Sequence, residues 1–254
     1  ATRKVLGDEL REFLGAEKFE AFRSFQQSHQ PVVFVGPYEH HSNEVTWRQG
    51  LATVVEVNLA PDGGVDLEHL EKLLKDPAYQ GRLRIGSFSA ASNVTGMRSP
   101  VSRIARLLHA HGAYACFDYA ASAPYVEIDM NPDPGPEGGD PAIDAVFRSP
   151  HKCLGGPGSS GVLVFNERLY ARELPPSVGG GGTVDYVSPV DQDFIRDIEE
   201  REKAGTPGVL QTLKAALALD LKNRVGADRI ETREQELLGR AMQILLGLGS
   251  PWDE

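Results

Sequence analysis

"LRIGSFSAASNVTGMRSPVSRIARLLHAHGAYACFDY", residues 83–119, decides the fold. Its opening, "LRIGSFS" (83–89), is a short β-rich run. "PVSRIARLLHAHG" (100–112) carries apolar residues at helical spacing, with Pro near its start and Gly at its end. "AYACFDY" (113–119) is β-rich again. Strand, helix, strand is the signature of a βαβ unit, and so of a mostly parallel sheet covered by helices.

The same alternation extends both ways. "PVVFVG" (31–36) and "TVVEVNL" (53–59) read as strands, and "DLEHLEKLLKD" (66–76) as a helix with Asp66 placed as its N-cap. Downstream, "IDAVFRS" (143–149) and "SGVLVF" (160–165) read as further strands. Residues 208–225 and 228–247 read as helices joined by "VGAD". "NPDPGPEGGDP" (131–141) is expected to be an exposed loop. "LPPSVGGGGTVDYVSP" (174–189) is expected to be a long loop, too glycine-rich for a regular element. The fold class expected is α/β, a three-layer sandwich with helices on both faces of the sheet.

The chain has 254 residues and a formal net charge of −10, from 26 Lys plus Arg against 36 Asp plus Glu. That balance argues against nucleic acid and anionic membranes as partners, since both need a basic footprint. No apolar run reaches the roughly 18 residues of a membrane span. Two cysteines, Cys116 and Cys153, are too few for a disulfide framework, which makes the cytoplasm the expected location. The N-terminus, "ATRKVLGDELREFLG", lacks the apolar core of a signal peptide and reads as if it starts inside a helix. The expectation is a chain truncated at both ends.

In parallel sheets ligands gather at the carboxyl ends of the strands. "SFSAASN" ends one strand run at Asn93, "CFDYAA" another at Asp118, and "VFRSPHK" a third at Lys152. An amine there, a costly carboxylate ending an apolar strand, and Ser149 and His151 as anion donors suit a phosphorylated heteroaromatic aldehyde. His40 or His41 in "EHHSN" could stack under its ring. Each residue also has a plainer reading: Lys152 a solvated lysine, Asp118 a strand-end turn former, His40 a helix cap, Asn93 an Asx turn.

"EHHSN", "SAASNVTG", "FDYAASAPYVEIDM", "SPHKCLGGPGSSGVLVF" and "EKAGTPG" occur in the order of the class V aminotransferase, cysteine desulfurase-like branch of fold-type I enzymes. These use pyridoxal 5'-phosphate (PLP), and the resemblance runs from about residue 31 to 225. It implies that Lys152 forms the Schiff base, that Asp118 keeps the pyridine nitrogen protonated, and that His40 stacks on the ring opposite Ala120. His41 is the alternative for the stack. The resemblance further implies that Ser149 and His151 hold the phosphate, and that Asn93 lies beside the ring oxygen or the substrate carboxylate. Thr206 would reach the phosphate of a neighbouring subunit in a homodimer. The implied domains are a PLP-binding large domain over 1–225, lacking its N-terminal part, and a helix at 226–254 leading toward a small domain.

The departures are specific. Relatives often carry Gln where this chain has Ala121, the glycine- and threonine-rich phosphate loop is absent or survives only as Thr2, and neither cysteine stands where a desulfurase bears its persulfide. The expected activity is that of a PLP enzyme on an amino acid, desulfurase- or lyase-like or aminotransferase-like, with the substrate and the choice among desulfuration, transamination, elimination and racemisation open. The rivals are a catalytically incomplete relative of the fold and a metal hydrolase using His40, His41, His151 and Asp118. The hydrolase lacks any HExxH or CxxC spacing, and no metal is expected.

Overall fold

Four consecutive apolar residues, Val32–Val35, form strand β1, none more than 1% exposed. A strand apolar at every position rather than every second one is buried on both faces, the mark of a parallel sheet. The computed structural model describes residues 2–247, and these fall into two compact units. The first runs to Tyr119 and takes in Asp129–Val146. The second comprises Ala120–Ile128 and the chain from Phe147 onward.

The first unit opens with helices α1 (Thr2–Leu14) and α2 (Ala16–His29), which pack on each other across Gly15. It continues with β1, α3 (His41–Gln49), β2 (Thr53–Glu56), α4 (Leu67–Lys75), β3 (Arg84–Ser89), α5 (Val101–Ala110), β4 (Tyr114–Asp118) and the start of β5 (Ala145–Arg148). The strand order is β2-β1-β3-β4-β5. β1 is parallel to both β2 and β3, and β3 is parallel to β4, with Val33 opposite Val54 and Ile85, and Ser89 opposite Asp118. The expected mostly parallel sheet with helices is what the chain builds. After β2 the order reverses, so the chain switches sides between β1 and β3, and the carboxyl ends of those two strands flank the switch point.

Local chemistry places the helices. Asp66 caps α4, its Oδ1 accepting from the His69 amide at 2.9 Å, and Leu70 and Leu74, one turn apart, are buried. α5 buries Ile104, Ala105 and Leu108 and packs on β4. Gly86 on β3 makes room for Leu108 of α5: a Cβ there would lie 2.4 Å from Leu108 Cδ1. At the other end of β4, Asp144 is fully buried, its Oδ2 accepting from the Ala115 amide at 2.8 Å and lying 2.9 Å from His109 Nε2.

The second unit holds the end of β5, a 3-10 turn at Pro150–Lys152, β6 (Val162–Phe165), β7 (Val184–Val187), β8 (Gln192–Phe194), α6 (Ile198–Arg201), α7 (Val209–Val225) and α8 (Ala227–Leu245). α7 and α8 are joined at Gly226 alone, at φ 87°, a tighter joint than "VGAD" suggests. The 174–189 segment corrects an expectation. Its glycine run is irregular, but Val184–Val187 pairs antiparallel with β8. The turn between them is closed by the Ser188 amide donating to Asp191 O at 2.7 Å, while Ser188 Oγ accepts from the Asp191 amide at 2.9 Å. β-branched and aromatic residues beside the glycines outweighed the composition of the segment as a whole.

Candidate active site

Three of the expected site residues lie in the first unit, after or at the carboxyl ends of the adjacent strands β1, β3 and β4. Asp118 is the last residue of β4 and only 7% exposed. Its carbonyl accepts from the Ala90 amide at 2.8 Å, which ties the end of β4 to the chain leaving β3. His40 follows β1 and is the N-cap of α3: its Nδ1 accepts from the Ser42 amide at 3.2 Å and lies 2.7 Å from Ser42 Oγ. The cap occupies Nδ1, while the residue as a whole is exposed. His41, the alternative, is also exposed, with its ring centroid 6.0 Å from that of His40. Asn93 is exposed after β3, and the turn there is made by its neighbour: Ser92 Oγ accepts from the Val94 and Thr95 amides, each at 3.2 Å.

The others lie in the second unit. Ser149, His151 and Lys152 share one 3-10 turn, in which the Lys152 amide donates to Ser149 O at 2.9 Å. His151 and Lys152 are exposed, and the Ser149 hydroxyl does not cap the turn. Pro150 and Cys153 are buried and anchor the turn from below. α7 packs against it, with Lys214 Nζ donating to Pro157 O at 2.8 Å and the Ser160 amide donating to Gln211 O at 3.2 Å. Ala120 begins the 120–128 segment and is half-buried. Thr206 is exposed three residues before α7, where the Gly205 amide, at φ 77°, donates to Gly181 O at 2.8 Å. The glycine run therefore seats "AGTPG".

The sequence reading missed Glu39 and Asn43, although both lie in "EHHSN". Glu39 is held by four donors: the Gly36 amide at 3.1 Å, the Ser89 amide and Oγ at 2.7 Å each, and Asn43 Nδ2 at 2.6 Å. Burial pushes its carboxyl above the ordinary range, against the pull of those bonds. The available signal was an acid shortly after a strand with Asn four residues on, at α-helical contact spacing.

Taken one by one, these groups have the chemistry PLP needs. Asp118 offers a buried acid for a pyridinium nitrogen, Lys152 an accessible amine, and Ser149 a hydroxyl outside the cap. Ser159 Oγ, in the Lys152 motif, and Ser122 Oγ are buried without a hydrogen-bond partner among the described residues. Among the described residues no three His, Cys, Asp or Glu cluster in a way that could hold a metal ion. Burial raises the Cys116 thiol to about 12, leaving it a packing group. No helix among the described residues is long and apolar enough to cross a membrane.

Known proteins resemble this chain. The aminotransferase class-V family model matches residues 20–250. A "Probable cysteine desulfurase" from Halalkalibacterium halodurans is 30% identical over 217 residues, covering 84% of this chain and 50% of that protein. One from Staphylococcus aureus is 32% identical over 209 residues, covering 81% and 47%. Among solved structures, the apo cysteine desulfurase of Thermococcus onnurineus NA1 superposes with a TM-score of 0.72 at 26% identity, covering 89% of this chain and 54% of that one. The chain spans about half the length of the curated relatives it matches.

Proposed function

Because the chain belongs to the aminotransferase class-V family of PLP-dependent enzymes, we propose that it contributes the cofactor-binding part of an enzyme acting on an amino acid, with cysteine desulfuration or a related lyase reaction favoured over transamination. The observation that carries this reading is the placement of Lys152, an exposed amine on a short turn anchored by buried Pro150 and Cys153. The reading extends to a cytoplasmic homodimer with shared sites.

Lys152 would be the amine that holds the cofactor, and its free amine would move a proton at the substrate's α-carbon. Asp118 holds a proton on the ring nitrogen, and its burial strengthens that interaction because little water competes for it. Ser149 and His151 bind the phosphate, joined by Thr206 of the partner subunit. His40 and Ala120 would hold the ring, and Asn93 would orient the ring oxygen or the substrate carboxylate. Bound PLP supplies the electron sink that stabilises negative charge at the substrate's α-carbon. Neither Cys116 nor Cys153 is the sulfur acceptor in this reading, since both are buried.

The full-length protein, loaded with PLP and treated with borohydride, tests it. The cofactor should be fixed on the peptide bearing Lys152, and Lys152→Ala should abolish the label. Label on another lysine, or none in the parent, overturns the assignment.

A further inference from the structure

The switch point of the sheet carries a half-buried carboxylate to which the proposed chemistry gives no role. Oε1 of Glu39 accepts from the amides of Gly36 and Ser89, and Oε2 from Ser89 Oγ and Asn43 Nδ2. Those donors come from three places: the residue after β1, the last residue of β3, and the first turn of α3. The backbone is shaped to admit the group, for a Cβ on Gly36 would stand 2.6 Å from Glu39 Oε1.

The network continues on both sides. Asn43 Oδ1 accepts from Ser87 Oγ at 2.6 Å and from Trp47 Nε1 at 3.4 Å, while Asn43 Nδ2 also reaches Ser87 O at 3.3 Å. Ser99 Oγ donates to Ser89 O at 2.6 Å and lies 2.8 Å from Tyr38 OH. Ser89, which gives Glu39 two bonds, is the register partner of Asp118. Glu39 immediately precedes His40. Glu39 is therefore hydrogen-bonded to the register partner of Asp118 and is the chain neighbour of His40.

Taking a carboxylate even partly out of water is costly, and a neutral or apolar tie would hold two strands and a helix together at less expense. What a charge with four directed bonds adds is geometric definition, at the place in the sheet where ligands bind. Resting on the PLP reading above, we infer that Glu39 is a positioning residue: it clamps β1, β3 and the start of α3 so that His40 and Asp118 are held in fixed relation across the cofactor site.

Glu39→Gln keeps the shape but turns one acceptor into an NH2. That amide must face either two backbone N–H groups or the Asn43 and Ser89 donors, and only Ser89 Oγ can reverse its role. Asn43→Ser removes one of the four bonds and leaves both backbone bonds. In the full-length protein without cofactor, hydrogen exchange at the Ser89 amide should accelerate at least tenfold in Glu39→Gln. With PLP bound, the visible circular dichroism per unit of visible absorbance should fall by half or more, because the ring is no longer held in one asymmetric setting. kcat should fall more than KM rises. Asn43→Ser should move the same readouts in the same direction by a smaller factor, and it serves where the Gln variant does not accumulate. A folded variant with parental circular dichroism, whatever its melting temperature, makes Glu39 merely structural and overturns the inference. A parent that takes up no PLP overturns this inference together with the reading it rests on.

Discussion

Gly156 lies so close to Pro150 that a Cβ built on it would stand 1.9 Å from the Pro150 carbonyl oxygen. The turn bearing Lys152 is thus folded back on itself, with the Gly156 amide donating to Cys153 O at 2.9 Å. Neighbouring Gly155 and Gly158 adopt φ of 76° and 83°, where other residues are strained. The segment after the lysine is glycine-rich because the turn closes only with glycine. Gly156→Ala should cost about 1–3 kcal/mol, as overpacking does. It should also lower borohydride labelling of Lys152 in the folded fraction. Denaturant melts and peptide mapping measure the two effects, and full labelling in a stable variant would show that the contact is dispensable.

Asp118 gives a second prediction. In the full-length enzyme Asp118→Ala should lower turnover about a hundredfold or more, the usual scale for losing an electrostatic stabiliser of the reacting state. The Lys152 label should persist, because the covalent bond does not need the ring nitrogen protonated. Single-turnover kinetics with peptide mapping separates the two steps. Parental turnover removes Asp118 from the chemistry.

Thr206 gives a third. If it serves the partner's phosphate site, dimers mixing a Lys152→Ala chain with a Thr206→Ala chain have one site with both defects and one with neither. About half the sites should then regain activity, an outcome that follows from the shared-site geometry alone. Affinity-tagged heterodimers make the measurement, and no rescue would assign Thr206 to its own subunit.

A fourth concerns stability. The hydrogen bond to Asp144 lifts the His109 imidazole above its ordinary value of 6.5, with burial opposing and Asp140 adding to the lift. A raised pKa means that the folded state holds the proton more tightly. The stabilisation is therefore complete below about pH 6.5 and is lost as pH rises through the higher folded value. The melting temperature should fall across that window, and His109→Gln should flatten the fall by on the order of 2–4 °C. Calorimetry between pH 5 and 9 (roughly the imidazole range with its lift) tests this. Parallel profiles for parent and variant would acquit the pair.

Local patterning alone specified β1, α4 and α5. Four apolar residues in a row, an Asp cap ahead of leucines one turn apart, and a Pro-to-Gly frame each act within a few residues of themselves. The order of the motifs likewise located Lys152 on its turn and Asp118 at its strand end. The β7–β8 hairpin was obscured because its strand, Val184–Val187, borders a run of four glycines and becomes regular only when Gln192–Phe194 pairs with it. What Glu39 does could not be read locally at all. Two of its four bonds come from Ser89, fifty residues away, and the space it fills exists because Gly36 lacks a side chain. The same holds for Asp144 and His109, thirty-five residues apart. Sequence specifies what depends on neighbours along the chain. Where a buried charge finds its donors is decided only by tertiary structure, because that requires residues from different strands to meet away from water.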